Sequence, residues 1–251
     1  MPSQSEAVRF TVEQFAERFR HEMVPLGNRF SYFFIALPLN EEDIKEYLEE
    51  PVAALPPAIA GCLPKLSICL VPFLERTNGK DNARFVSLES PPEQRQTLSA
   101  RLTNQDEVCL LFAVEGREVA DYHYRLYHEF AELSADALPE DIVNKYFGEL
   151  REELAARVHG EVDEDSWRLK QALQRQSGKL RRETKAFRQY ARQSLIDTLT
   201  LYLHGICCDI DVETGPRQIP SRHLRKRLQL LFELFAPPEG YAVFPEQLNK
   251  G

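Results

Sequence analysis

Glycine is scarce in this 251-residue chain, eleven in all, and no group of them forms a phosphate loop. There is no G-x-x-x-x-G-K-[ST], no G-x-G-x-x-G and no G-x-S-x-G, so a glycine cradle for nucleotide phosphates and a serine elbow are not expected. The five cysteines show no C-x-x-C spacing, which removes the dithiol redox motif. No run of about 18 uncharged apolar residues occurs, so a membrane-spanning helix is not expected. Met1 to Arg9 lacks a basic stretch followed by an apolar core. A secretory leader is therefore not expected, and the expected location is the cytoplasm, where thiols stay reduced. Hydrophobic residues at 43% and charged residues at 28% are ordinary globular usage. They exclude a fibre, a collagen-like chain and a wholly disordered chain.

Charge is present but uneven. From Arg168 to Arg227 there are fourteen Lys or Arg and five Asp or Glu, a net +9, within a chain of net charge -8. The rest of the chain therefore carries -17. A basic C-terminal element on an acidic body is expected. The overall negative charge opposes approach to long phosphate polymers and disfavours a general nucleic-acid coat protein.

Local patterns predict an α+β fold. Thr11 with Gln14 resembles a capping box, and Phe15, Phe19 and Met23 recur at helical spacing, predicting a helix near 12–24. Phe30 to Leu37 reads as a buried strand. Asn40 caps a helix opened by Glu41, Glu42 and Asp43 and ended by Pro51. Residues 52–64 read as a packed loop with short helical turns. Leu66 to Leu74 and Arg84 to Leu88 form a hairpin through Thr77-Asn78-Gly79-Lys80, since Asn-Gly supplies a type I′ turn. Pro91 and Pro92 open a short helix near 92–102, and Glu107 to Val114 is a further strand. Helices are expected near 117–134, 139–159, 164–203 and 221–235, the third with a break site at Ser177-Gly178. The expected organisation is a sheet-containing part, 1–116, with a small mixed or antiparallel sheet. A helical part, 117–251, follows, and the two are expected to form one continuous globular unit sharing a core.

Three places carry candidate chemistry. His128-Glu129-Phe130-Ala131-Glu132 resembles, over five residues, the H-E-x-x-H helix of zinc peptidases. In that motif one-turn spacing puts two ligands on one face and the Glu activates a metal-bound water. Here Glu132 stands where the second His belongs. The resemblance implies zinc held by His128 and Glu132, with Glu129 as base, and Glu153 is the candidate third ligand. Such a site serves a zincin-like hydrolase. The plainer alternative is an exposed i,i+4 pair on a solvated arc. On the second helix Glu153 sits at the edge of the apolar stripe and is the carboxylate expected to be partly buried.

His204-Gly205-Ile206-Cys207-Cys208-Asp209-Ile210-Asp211 gathers two thiols, an imidazole and two carboxylates, but only one such cluster exists, where structural zinc sites use two ligand pairs. A helix end at Gly205 followed by a strand, Ile206 to Val212, explains it as well.

The third place is basic. Arg181, Lys185, Arg188 and Arg192 recur along one helical stripe, and Arg222, Arg225, Lys226 and Arg227 open the last helix. Both suit an anionic partner, nucleic acid or acidic protein, in a non-catalytic interaction protein. Cations at a helix N-terminus oppose the macrodipole, so the 222–227 cluster requires acidic neighbours or an anion. The chain's own acidic segment, Glu161 to Asp165, is the internal candidate.

Overall fold

The computed structural model describes residues 10–77, 83–104, 107–175, 183–208 and 217–244. The fold is α+β, with two sheets in the N-terminal half and helices in the C-terminal half. The chain divides into two compact units, Met1–Val52 with Leu63–Arg125, and Ala53–Cys62 with Leu126–Gly251. We call them the sheet unit and the helical unit.

In the sheet unit, β1 (Phe10–Thr11) runs into α1 (Val12–Phe19), and a 3-10 turn (Arg20–Glu22) follows. The capping box forms as expected: Thr11 accepts from the Gln14 backbone, and Gln14 accepts from the Thr11 backbone N–H at 3.0 Å. After β2 (Val24–Pro25) and β3 (Phe30–Phe34), Asn40 caps α2 (Glu41–Ile44). Pro51 does not end this helix. A π turn (Lys45–Glu49) precedes it, and Pro51 lies inside α3 (Glu50–Ala53). Proline lacks an N–H and crowds the carbonyl four residues back, and the wider π turn absorbs that mismatch. α4 (Pro57–Cys62) is the short helical turn expected in 52–64.

The apolar run 66–74 is not one strand. It divides at Pro72 into β4 (Lys65–Val71) and β5 (Phe73–Arg76), which belong to different sheets. Pro72 has no N–H to give to a ladder, so the chain switches sheets there. β5 pairs antiparallel with β6 (Arg84–Ser87), so the hairpin exists between these shorter strands. Its Asn78-Gly79-Lys80 turn lies outside the described residues.

The expected helix at 92–102 is a correction. Only Glu93–Arg95 makes a 3-10 turn. β7 (Gln96–Thr97) and β8 (Ser99–Thr103) follow, and β8 pairs antiparallel with β9 (Glu107–Ala113). Ala100 is buried and Leu102 packs on the core, a period of two that suits an edge strand. The double proline opened a single turn, and sheet pairing claimed the rest. The four-stranded sheet has the order β1-β6-β5-β7 and the five-stranded sheet β2-β3-β4-β9-β8. In the second, the central strands β3, β4 and β9 are parallel and the edges antiparallel. α1 drives Val12, Phe15 and Phe19 into a core shared with Cys69, Val71, Cys109 and Leu111.

α5 (Val119–Ala135) begins in the sheet unit and ends in the helical unit. The helical unit continues with α6 (Glu140–Ala155), α7 (Glu164–Gln174), α8 (Lys185–Cys207) and α9 (Ser221–Leu234). Thus 164–203 contains two described helices, and Ser177-Gly178 lies outside the described residues. α8 does not end at Gly205 but runs on to Cys207, so the beginning of the expected 206–212 strand is helix. None of the five cysteines is in a disulfide. Among the described residues no helix is long and apolar enough to cross a membrane.

Candidate functional site

Four helical-unit segments converge on one buried guanidinium. α9 presents Leu224, Leu228 and Leu231 to the interior at helical spacing, and Arg227 sits on the same buried side, 0% exposed. Its Nε and Nη2 donate to Glu153 of α6 at 3.0 and 2.5 Å. Its Nη1 and Nη2 donate to Glu161 at 2.7 and 3.0 Å. One planar fork therefore grips two carboxylates, which Arg geometry allows and Lys geometry does not. Glu161 also accepts from Lys170 of α7 at 3.0 Å and from the Tyr190 hydroxyl of α8 at 2.5 Å. Ser194 accepts from Arg227 at 2.9 Å. Two carboxylates, one guanidinium and one ammonium balance to zero in a space closed to water.

The backbone sets this centre. Glu161 forms an isolated parallel bridge with Gln218, and its N–H donates to the Arg217 carbonyl at 2.9 Å. Gly160, at φ +76°, lies so close that a Cβ would meet the Gln218 carbonyl oxygen at 2.2 Å. Only glycine permits that approach, and the Gly160 carbonyl then accepts from Lys170 at 2.8 Å. Burial alone would raise the Glu161 carboxyl, but Arg227 and Lys170 outweigh it and hold the group down at about 2.

This geometry decides where the residues singled out from the sequence lie. Glu153 is buried as expected, but its oxygens are turned to Arg227. An imidazole does approach it, that of His223, with Nδ1 4.0 Å from Glu153 Oε1. His128, Glu132 and Glu153 do not form a group of three ligand atoms within 4.8 Å among the described residues. His128 is half-buried on α5, with Nδ1 3.5 Å from the Thr200 hydroxyl of α8. Helix α8 therefore packs over the side of α5 that carries His128. Glu129 and Glu132 are also half-buried.

The basic residues divide into three kinds. Arg181 lies outside the described residues. Arg227 is internal, and Arg192 forms a two-pronged pair with Asp136, both contacts 2.8 Å. Lys226 pairs with Glu149 at 2.7 Å and Glu152 at 3.1 Å, and these carboxylates raise its pKa. Arg188 pairs with Glu183 at 2.9 Å but remains exposed. Lys185 and Arg222 are exposed with no carboxylate partner among the described residues. The exposed Arg225 guanidinium stacks 4.5 Å above the Phe244 ring. The internal acidic partner expected in 161–165 is thus Glu161 for Arg227, and Glu164 pairs with Arg217 at 3.3 Å.

α8 and α9 run side by side in one direction. Arg227 reaches Ser194, and eight residues on along both helices Tyr202 donates to the Phe235 carbonyl. This register sets Arg222 about level with Gln189 of α8. Neither helix has an acidic residue in its first turn, whereas α1, α2, α6 and α7 all do. The positive ends of the two helix dipoles therefore lie at the same end of the pair.

Sequence reasoning passed over Lys170, Tyr190 and Asp197. Lys170 was only one of the fourteen cations counted between Arg168 and Arg227, but α7 buries the line Ser166, Lys170, Leu173. Asp197 is the lone charge in Ser194 to Leu203, an otherwise uncharged run, and that isolation was a usable signal. It is 3% exposed, accepts from Gln193 at 2.8 Å, and burial pushes its carboxyl up to about 6. No protein-family model, curated protein or solved structure matches this chain.

Proposed function

We propose that the helical unit is a binding module that takes an acidic segment of a partner protein at the shared N-terminal edge of α8 and α9. The observation that carries this reading is the pair of exposed cations, Lys185 and Arg222, that lack carboxylate partners among the described residues. Around them, Arg227 and Lys226 are already matched by glutamates of this same chain. They lie beside two helix starts that lack the usual acidic first turn, so an incoming carboxylate meets both side-chain charge and aligned backbone N–H groups. A short acidic peptide suits the edge better than a long nucleic acid, because the whole chain carries -8 and repels an extended polyanion. Thin aromatic content on this edge also gives bases little to stack on. The zinc-hydrolase expectation draws less support, since Glu153 is engaged by Arg227.

Fluorescence anisotropy with a labelled poly-glutamate peptide tests this reading. Binding should weaken steeply with salt. Lys185→Glu with Arg222→Glu should weaken it at least ten-fold, about 1.4 kcal/mol, with unchanged melting temperature. Equal binding by the reversed-charge variant refutes the edge. Tighter binding to duplex DNA than to the peptide refutes the class of partner.

A further inference from the structure

The N-terminal ends of β3, β4 and β9 carry a second, unrelated feature, within the sheet unit. Strand register places Ser31 opposite Ser67, Ser67 opposite Cys109, and Lys65 opposite Glu107. Register partners and residues two apart project from the same side of a sheet. Lys65, Ser67, Ser31, Glu107 and Cys109 therefore share the α1 face. Further along, that face is apolar: Phe33, Cys69, Val71 and Leu111 pack beneath α1. The polar row begins where α1 ends and opens on a cleft of about 180 Å³ between Met23, Asn104 and Cys109. Ser31 and Glu107 also line an adjoining depression of about 240 Å³ that includes Lys65.

The hydrogen bonds in this row have one consistent direction. Glu107 as a carboxylate only accepts, so the short bond between Ser67 and Glu107 uses the single proton of Ser67. The Ser31–Ser67 contact, Oγ to Oγ at 2.9 Å, then takes its proton from Ser31. Ser67 is buried and fixed, 2% exposed, while Ser31 is half-buried at the cleft wall. Ser31 thus gives its proton inward and keeps its oxygen lone pairs for the cleft. That is the arrangement of a nucleophile joined to a base through a relay.

We propose that Ser31 is the nucleophile of an acyl-transfer site, with Ser67 as relay and Glu107 as base, acting on small esters with good leaving groups. The Ser31 oxygen forms a bond to the acyl carbon as the ester C–O bond breaks. The Ser31 proton passes to Ser67 and that of Ser67 to Glu107. The departing alkoxide takes a proton back from Ser67, which is resupplied by Glu107. Water then attacks the acyl-serine by the same path, releasing the acid and restoring Ser31. A carboxylate is a weak base toward an alcohol, which confines the site to leaving groups that need little help, such as aryl oxides. The cleft volume confines the acyl group to a few carbons, and the exposed Lys65 favours substrates carrying an anionic group.

The test uses the full chain and an alkyl fluorophosphonate, with intact-mass and peptide mass spectrometry. One phosphonyl adduct, on Ser31, is expected, absent in Ser31→Ala. Glu107→Gln should label at least ten-fold more slowly, while Ser31→Ala and Glu107→Gln melt like the parent. Turnover of p-nitrophenyl acetate above background should fall at least ten-fold in Ser31→Ala. No adduct, an adduct elsewhere, or a Glu107→Gln labelling rate equal to the parent's overturns the proposal.

Discussion

Replacing Arg227 by methionine isolates the buried charge centre. Methionine fills much of the same length and carries no charge, so the perturbation is electrostatic more than steric. Glu161 keeps Lys170 at 3.0 Å and the Tyr190 hydroxyl. Glu153 loses all its guanidinium contacts and stays 2% exposed, with the His223 imidazole 4.0 Å away. Breaking a buried pair by removing one partner costs about 3–5 kcal/mol, because the other charge is left without compensation. A domain typically holds only about 5–15 kcal/mol in total, so Arg227→Met should remove at least about a fifth of it. Adding Glu153→Gln removes the stranded charge while leaving Glu161 matched by Lys170. The double variant should recover about 2 kcal/mol or more of the loss. Urea unfolding at pH 7, followed by circular dichroism, measures all three proteins. The reasoning is refuted if Arg227→Met costs less than about 1 kcal/mol, or if the double variant is no more stable than the single.

Three other outcomes follow from the same unit. Glu161 is held at about 2 in the folded chain against 4.5 otherwise, so its contribution is present above pH 4.5. It is lost as pH falls toward 2, by about 3 kcal/mol at about 1.4 kcal/mol per unit; Glu161→Gln should flatten that part of an acid-unfolding curve. Asp197 has the opposite sign, raised from 3.8 to about 6. Its favourable state exists below pH 3.8 and is lost as pH rises through 6, so Asp197→Asn should gain stability on the parent between pH 4 and pH 7, by about 3 kcal/mol at most. A melting-temperature difference that does not change over that interval contradicts the assignment. Gly160→Ala meets both a positive φ and the Gln218 backbone, and should cost about 2 kcal/mol or more. A melting temperature equal to the parent's would show that the close approach has no consequence.

Where one segment carries its own instructions, reading the sequence was sufficient. Thr11 and Asn40 mark their helices because each cap bonds within three residues of itself. The amphipathic periods of 119–135, 140–155 and 221–234 survive because each stripe meets an apolar neighbour. Residues 99–103 became strand because β9 offers a ladder, and 96–97 because β5 does, and no local pattern announces either partner. The same limit applies to function. Glu153 and Arg227 stood out separately, one as a buried carboxylate and the other as a cation at a helix start. Only folding shows that these residues, 74 apart in the chain, satisfy each other. Ser31, Ser67 and Glu107 have no motif in common, since strand register alone aligns them. Helix caps and periods are short-range and legible one residue at a time. Pairing of buried charges and of strands depends on which distant segment arrives, and that is decided by burial of the whole chain.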